Sequence, residues 1–483
     1  MSELLSNVWS AFLVVLFFGG SIFVHELGHF LVARKRGAKV ERFSIGFGPA
    51  IWSRRGQDGV EYRLSWIPLG GYVLLPQLAD LGPIEGESTT DVKKLPPIDY
   101  VSKILILVAG ATFNIFFAFA LACIVWFVGE PTFSELNTTR IGTVNPTIKL
   151  IDGTTVPNPA HEAGLQAGDN VKSIDGHKVA NFEQILNGVL LGKGRASDDR
   201  RKCIFVIERA GKTLEVVVYP RLIGEDKIRV AGVEPAEDLT AESLLPDWPA
   251  ALAGIKPGDR VLAIDGKNVF QRFAISEHLS KYPNRPTEFL LQRGTEQITL
   301  QIQPRLDTDE RTGKTVPRIG LRYKDNIVVL HPTPWAQVSD DVVSTFRTLG
   351  ALLSPNSDIG PSKLSGPIGI ARALHQQAQW DIRRALWFVI LVNVNLAIFN
   401  LLPIPVLDGG QILFATIGRL RRRELPANFI IATQSAFFVL LMTLIVYVSF
   451  FDVQRWARDA KSDRPAAAAP AAAPAKAPAP AGK

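Results

Sequence analysis

The sequence contains few cysteines and few charged residues for its length. Only two cysteines, Cys123 and Cys203, occur among 483 residues, which excludes a disulfide-stabilised scaffold and a thiolate-rich metal site. Charged residues make up 20% of the chain and hydrophobic residues 47%, with a mean hydropathy of +0.14. These values argue against a disordered chain and against an ordinary soluble enzyme. The net charge of +7 is modest and requires no nucleic-acid partner.

Long apolar runs account for the low charge content. Four runs approach or exceed the roughly 20 residues that a helix needs to cross a bilayer; they are residues 8–33, 104–128, 385–406 and 429–451. No lysine or arginine precedes the first run, and no A-x-A cleavage site accompanies it. The first run is therefore predicted to be a retained membrane helix and not a cleaved signal peptide.

The positions of the basic residues predict the orientation of these helices. Lysines and arginines concentrate between the first two runs, from Arg34 to Lys94, and between the last two, from Arg419 to Arg423. By the positive-inside rule, both loops face the cytoplasm. The segment from about 130 to 380 then faces the opposite side, which is the periplasm for a bacterial inner membrane. The Ala/Pro-rich tail at 465–483 is predicted to be extended and disordered.

A repeated segment lies between the second and third runs. The sequence AGLQAGDNVKSIDG at 163–176 matches AGIKPGDRVLAIDG at 253–266. In each copy Gly-Asp predicts a turn, Val-x-x-Ile a strand and Asp-Gly a tight hairpin. The copies are separated by about the length of a small domain, so each is expected to belong to its own fold.

This repeated signature resembles PDZ domains of the bacterial protease-associated type. The resemblance implies two such domains in tandem, at about 135–224 and 225–306. PDZ folds bind extended peptides by adding a strand to a sheet edge. Two generic β-rich spacers are the alternative, and a role as a size filter over a membrane site is equally open.

The first apolar run contains the motif HELGH, which predicts a metal site. His25 and His29 are four positions apart, so both imidazoles lie on one helix face and can bind one metal ion. Glu26 is placed to take a proton from a water molecule that the metal activates, and zinc is the expected metal. H-E-x-x-H also occurs by chance in soluble helices. Inside a membrane span, however, such polar residues are costly and functional by default.

A third metal ligand is expected from the third apolar run. The five other histidines lie in polar regions and are interpreted as surface residues. Asp408 ends the third run at about the predicted depth of the HELGH motif, after prolines at 403 and 405 that interrupt the helix. A broken membrane helix is tolerated only where it faces protein or a wet cavity. The alternative is that Asp408 only caps the next segment.

These motifs occur in the order found in one enzyme family. The motifs are HELGH, the Gly110–Asn114 step, the repeated segment and NLLPIPVLDGG at 400–410. Together they resemble the site-2 protease family of intramembrane zinc metalloproteases, most closely its bacterial regulator-of-sigma-E group. The resemblance covers about residues 5–455. The resemblance implies that His25, His29 and Asp408 bind zinc and that Glu26 is the catalytic base. Asn400 and Pro403 are implied to handle the substrate. It also implies a membrane-reentrant β-loop containing 42–49 and 62–71. Gln411, where many relatives have histidine, and the Ala/Pro tail depart from the family pattern.

Two features near the predicted site have more than one interpretation. Gly110 and Asn114 lie one helical turn apart, and the interpretation we favour is close helix packing near the metal, with Asn114 hydrogen-bonding across helices. Direct participation in catalysis is the alternative. The strands predicted at 43–48 and 62–73 either pair with an unwound substrate as an added strand or only pack on the membrane helices.

The predicted fold class is a polytopic α-helical membrane protein with four transmembrane helices, a membrane-reentrant β-loop and two β-rich PDZ domains in tandem. The predicted order is helix 1 at 1–34, the β-loop at 35–100, helix 2 at 101–129, PDZ domains at 135–224 and 225–306, a connector at 307–382, helix 3 at 383–408, helix 4 at 427–451 and the tail at 465–483. Two interpretations of the connector stay open: it contains an interfacial amphipathic helix, or it is a simple link.

The predicted activity is zinc-dependent hydrolysis of peptide bonds in the membrane segments of single-span proteins, such as anti-sigma factors or remnant signal peptides. The expected partners are these substrates, the lipid bilayer and peptide ligands of the PDZ domains. The predicted location is the inner membrane, with the active site near the cytoplasmic side. A non-catalytic PDZ-bearing adaptor would not need four submerged polar groups, and a metal transporter would need more polar residues than the fourth run offers.

Overall fold

The computed structural model of the protein describes residues 2–78, 95–150, 153–308, 313–324, 326–423 and 425–462. The predicted tail at 465–483 lies outside the described residues, as does the part of the predicted β-loop at 79–94. The α-helices of the described residues are α1 (Ser2–Lys35), α2 (Tyr100–Val128), α3 (Pro159–Glu162), α4 (Phe182–Leu190), α5 (Pro249–Leu252), α6 (Arg272–Lys281), α7 (Pro334–Leu352), α8 (Pro367–Trp380), α9 (Ile382–Asn400), α10 (Asp408–Arg421) and α11 (Ala427–Ser462).

Short strands are the main regular structure between α2 and α7. The strands of the described residues are β1 (Arg42–Arg55), β2 (Glu61–Leu74), β3 (Glu130–Phe133), β4 (Ile141–Thr143), β5 (Thr147–Lys149), β6 (Thr155–Pro157), β7 (Asn170–Ile174), β8 (His177–Lys178), β9 (Cys203–Arg209), β10 (Lys212–Val218), β11 (Arg221–Ile223), β12 (Ile228–Val230), β13 (Glu234–Pro235), β14 (Ala241–Leu244), β15 (Arg260–Ile264), β16 (Lys267–Asn268), β17 (Thr287–Arg293), β18 (Glu296–Ile302), β19 (Arg305–Thr308), β20 (Thr315–Arg318), β21 (Leu321–Tyr323) and β22 (Ile327–Leu330).

Four helices in the described residues are long and apolar enough to cross a membrane, as the apolar runs predict. These spans are Ala11–Lys35, Tyr100–Val128, Ile382–Asn400 and Ala427–Ala460. The helices α2, α7, α8 and α9 share a hydrophobic core, against which part of α1 packs. By contrast, α11 leaves most of its apolar side chains exposed, as expected for a helix that faces lipid.

The third span is shorter than the predicted 383–408. Helix α9 ends at Asn400, and turns occupy residues 401–407 before α10 begins at Asp408. Pro403 and Pro405 explain the early end, because proline has no backbone N–H and its ring clashes with the preceding helical turn. Asp408 therefore begins the next helix and does not end the third span.

The segment predicted as a connector, 307–382, contains two helices. Helix α7 begins at a cap in which the Thr333 hydroxyl accepts a hydrogen bond from the Ala336 N–H. Helix α8 packs on α9, α1 and α11 and buries Leu374. Both helices therefore belong to the helical bundle.

Strands β1 and β2 form a hairpin that folds back on itself. Residues 42–45 pair with 61–64 on one side and with 71–74 on the other, while 61–65 also pair with 50–55. Two long strands thus supply four rows of one small sheet. Part of this sheet shares a hydrophobic core with α1 and α2, which places the hairpin next to the HELGH helix.

The repeated segments form two units with the same strand order. The first sheet has the order β10-β9-β7-β8 and the second β18-β17-β15-β16. Asp169 accepts two hydrogen bonds from Arg209 in the first unit, and Asp259 accepts two from Arg293 in the second. The repeat in sequence is therefore a repeat in hydrogen bonding.

Each repeat unit extends beyond its predicted limit. The first hydrophobic core includes Val233, and β13 pairs with β4, so the limit at 224 is too early. The second core includes Ile319, and β21 pairs with β14, so the limit at 306 is too early as well. In both units the closing strand lies well after the repeated signature. We call 141–235 the first repeat unit and 239–323 the second.

Candidate metal centre

Glycines allow α1 and α2 to approach closely around the HELGH motif. A Cβ atom at Gly28 would lie 2.6 Å from the carbonyl oxygen of Ala109, and one at Gly110 would overlap the rings of His25 and His29. Small residues at such contacts let helix backbones approach closely. The second helix therefore lies directly against the two imidazoles.

Three side chains converge at one point between α1 and α10. The Nε2 atoms of His25 and His29 are 3.1 Å apart. The Oδ2 atom of Asp408 lies 3.5 Å from Nε2 of His25 and 3.4 Å from Nε2 of His29. Among the described residues, these three form the one group of histidine, cysteine and acidic side chains with the spacing of a metal site.

The donor set fits a zinc ion. Zinc bonds of about 2.0–2.1 Å at tetrahedral angles place neighbouring ligand atoms roughly 3.3–3.5 Å apart, and the three observed separations are close to this range. Oδ2 of Asp408 is also buried and has no hydrogen-bond partner in the described part of the chain. A buried carboxylate oxygen needs compensation, which a cation would supply.

The turn after α9 positions Asp408. Gly409 and Gly410 begin α10 beneath this turn, and a Cβ atom at either position would overlap backbone atoms of 401–402 or 404–405. Side chains larger than hydrogen therefore do not fit, and the Gly-Gly pair lets the first turn of α10 pack against the preceding loop. This packing brings Asp408 to the histidines.

Glu26 is buried beside the hairpin. A Cβ atom at Gly71 of β2 would lie 2.9 Å from Cγ of Glu26 and 2.8 Å from the carbonyl oxygen of Ser44. The hairpin therefore covers the side of α1 that carries the glutamate, and glycine at position 71 makes this close contact feasible.

The sequence as a whole matches Peptidase family M50, over residues 12–444, a range that includes HELGH and Asp408. The chain belongs to peptidase family M50. This family assignment, together with the apolar helices, makes the protein an intramembrane zinc metalloprotease with several membrane-spanning helices.

Similar proteins align with nearly the whole chain. A putative zinc metalloprotease of Vibrio cholerae is 32% identical over 88% of this chain and 93% of its own length. The regulator of sigma-E protease RseP of Salmonella typhimurium is 29% identical, and that of Escherichia coli is 28% identical. Each of these two alignments covers 92% of this chain and 99% of the relative.

Of the two predicted substrate-handling residues in this M50 protein, one reaches the metal centre. Nδ2 of Asn400, the last residue of α9, lies 3.4 Å from Nε2 of His25. Pro403 is exposed in the turn between α9 and α10. Its role in the fold is to help end α9.

Sequence reasoning missed contributions that come from the backbone. The carbonyl oxygen of Ile106 on α2 lies 2.8 Å from Nδ1 of His29. Any residue type can offer a backbone carbonyl, so the sequence carries no signal for this contact. The close approach of Gly71 to Glu26 was missed for a related reason, because it depends on how the hairpin docks.

Proposed function

We propose that His25, His29 and Asp408 hold the catalytic zinc ion and that Glu26 is the general base. The observation that carries this proposal is the 3.1–3.5 Å spacing of the three ligand atoms on α1 and α10. When bound, zinc would supply Lewis-acid activation of the scissile carbonyl and of the attacking water. Glu26 takes the proton from that water and passes it to the leaving amine. Asn400, beside His25, is suited to hold the substrate backbone.

We propose that the substrates are transmembrane segments of single-span proteins. The catalytic motif lies in a helix with the length and composition of a membrane span, so a substrate reaches it most directly from within the bilayer. Four similar proteins carry the name regulator of sigma-E protease, which supports a single-span anti-sigma factor as the substrate. Remnant signal peptides are the second substrate class, because they also present an apolar segment to the bilayer.

The hairpin is suited to receive an unwound substrate. Within the described residues, 71–74 pair with 41–45 on one side, and no backbone pairing is found on the other edge of this row. Gly71 at the start of the row lies next to Glu26. A substrate strand added at this edge would have its backbone held close to the catalytic residues. Packing against the membrane helices is the alternative role of the hairpin.

We propose that the two repeat units are PDZ domains on the side of the membrane opposite the basic loops. Their shared strand order and their matching Asp–Arg pairs support a duplicated fold. In this arrangement, the metal centre lies towards the cytoplasm and the repeat units lie in the periplasm, where they bind peptides or exclude bulky substrates.

Replacing Glu26 with glutamine tests the proposed chemistry. Purified wild-type protein and the Glu26→Gln variant would be incubated with a single-span reporter, and zinc content would be measured in parallel. We expect the variant to bind zinc normally and to cleave at least about 100-fold more slowly, because glutamine cannot accept the proton. Equal cleavage by both proteins would refute the role of Glu26. Zinc binding that survives in His25→Ala would refute the proposed ligand set.

A further inference from the structure

Each imidazole of the metal centre leaves its second nitrogen facing α2. Nδ1 of His29 lies 2.8 Å from the carbonyl oxygen of Ile106, and Nδ1 of His25 lies 3.4 Å from Nδ2 of Asn114. Ile106, Gly110 and Asn114 follow one another at intervals of four residues, so they share one face of α2. Gly110 provides the space for both rings. One helical turn before and after it, Ile106 and Asn114 contact the Nδ1 atoms of His29 and His25, respectively.

Metal binding determines which atom of Asn114 can face His25. If Nε2 of His25 binds a metal, Nδ1 carries the hydrogen and must donate it. An amide nitrogen cannot accept that hydrogen. Oδ1 of Asn114 can accept it, and this atom is buried with no hydrogen-bond partner in the described residues. The oxygen and nitrogen of an asparagine amide are assigned from their hydrogen bonds, and turning the amide by 180° brings Oδ1 to Nδ1.

We propose that Asn114 is a positioning residue that accepts a hydrogen bond through Oδ1 from Nδ1 of His25. The contact fixes the tautomer and the ring orientation of this ligand, as the Ile106 carbonyl does for His29. Groups in this outer layer typically change metal affinity by about 10–100-fold. The inference rests on the proposed function, because it requires His25 to be a metal ligand.

The test uses three single variants of the full-length, detergent-solubilised protein. Asn114→Leu removes the acceptor at similar volume, and Asn114→Asp keeps an oxygen in the same place. Asn393→Leu is the matched control, because Asn393 is also a fully buried asparagine at a helix contact, where it donates to Ser21. Zinc affinity would be measured by competition with a chelator, and the ligand field by the absorption spectrum of the cobalt-substituted protein.

We expect Asn114→Leu to bind zinc about 10–100-fold more weakly and to alter the cobalt spectrum. Asn114→Asp should stay within a few-fold of wild type, and Asn393→Leu should match wild type in both measurements. Normal affinity and an unchanged spectrum in Asn114→Leu would overturn the inference. An equal loss in Asn393→Leu would also overturn it, because helix packing would then explain the effect. An equal loss in Asn114→Asp would show that the oxygen is not the functional atom.

The wild-type protein and His25→Ala separate this inference from the proposed function. If wild type binds zinc tightly and His25→Ala does not, the proposed metal centre stands, and the Asn114 variants then test the positioning role alone. If His25→Ala binds zinc as tightly as wild type, the proposed ligand set is wrong.

Discussion

At the scale of single residues, the glycines near the proposed metal ligands are as important as the ligands, because they have no side chain. Gly28, Gly71 and Gly110 each occupy a position where a Cβ atom would come within 3 Å of a neighbouring heavy atom. Protein interiors are close-packed, so an added methyl group must displace something. At Gly110 the displaced groups would be the two imidazoles.

Replacing Gly110 with alanine should weaken the metal centre without a change in any ligand. We expect Gly110→Ala to lower zinc affinity by at least about 10-fold, a loss of the size seen when groups around metal ligands are disturbed. Chelator competition and reporter cleavage would measure the effect. Gly20→Ala on α1 is the control, because a Cβ atom there meets no atom within 4 Å. Equal zinc affinity in the two variants would contradict the steric argument.

The sequence indicates the residues of the proposed metal centre more directly than the contacts around them. His25, Glu26 and His29 lie within one helix, so their spacing alone determines a shared face. Asp408 is distant in sequence, and its assignment depended on predicted membrane depth, the two prolines and family resemblance. The Ile106 carbonyl could not be predicted, because the contact depends on the rotation of α2 against α1.

At the scale of elements, α7 (Pro334–Leu352) shows why a polar helix is hard to recognise as part of a bundle. Gln337 donates hydrogen bonds to the carbonyl oxygens of Ala122 on α2 and Pro332. Asp341 is buried in the same helix. Polar side chains that point inward weaken the apolar periodicity that marks a packed helix, so the sequence suggested a connector here.

The pKa of Asp341 is raised to about 7 by burial, with Asp340, Glu130 and Glu183 adding repulsion. The folded protein therefore holds this proton more tightly than the unfolded chain, whose carboxyl has a pKa of 3.8. The contribution of Asp341 to stability is fully present below that value and is lost as the pH rises towards 7. Above pH 7, the buried charge leaves the folded state less stable.

Replacing Asp341 with asparagine should remove this pH dependence. We expect Asp341→Asn to raise the unfolding temperature in detergent by a few degrees at pH 8 and by less at pH 5. Thermal unfolding at both pH values would measure the difference, with Glu242→Gln as the control because Glu242 is exposed. If Asp341→Asn had the same effect at both pH values, titration of Asp341 would not control stability.

At the scale of the whole molecule, polar contacts connect the first repeat unit to the helical bundle. Asp358, between α7 and α8, accepts hydrogen bonds from Arg201 and Arg229 of the first repeat unit. Asp452 of α11 accepts hydrogen bonds from the backbone N–H groups of Gly366 and Gly369 at the start of α8. The segment between α7 and α8, together with the start of α8, thus contacts both the first repeat unit and α11.

Asp358 carries the negative charge that Arg201 and Arg229 of the first repeat unit share. Burial would raise the pKa of its carboxyl, but Arg201 and Arg229 hold the pKa below its usual value. The side chain of Arg229 is fully buried. Removal of Asp358 would therefore leave a buried guanidinium without its partner, a change that typically costs about 3–5 kcal/mol.

Replacing Asp358 with alanine should weaken the contact between the α7–α8 segment and the first repeat unit without disturbing the proposed metal centre. We expect faster hydrogen–deuterium exchange in 353–366 and in β12 around Arg229, and unchanged exchange in the second repeat unit. Zinc affinity should match wild type, because Asp358 contacts none of the proposed ligands His25, His29 and Asp408. Asp307→Ala is the control, since Asp307 pairs with Arg318 in the more exposed setting of β19 and β20. Wild-type exchange rates in 353–366 of Asp358→Ala would mean that other contacts, such as those of Arg458 with Glu225 and Asp226, hold the first repeat unit against the helices without this carboxylate.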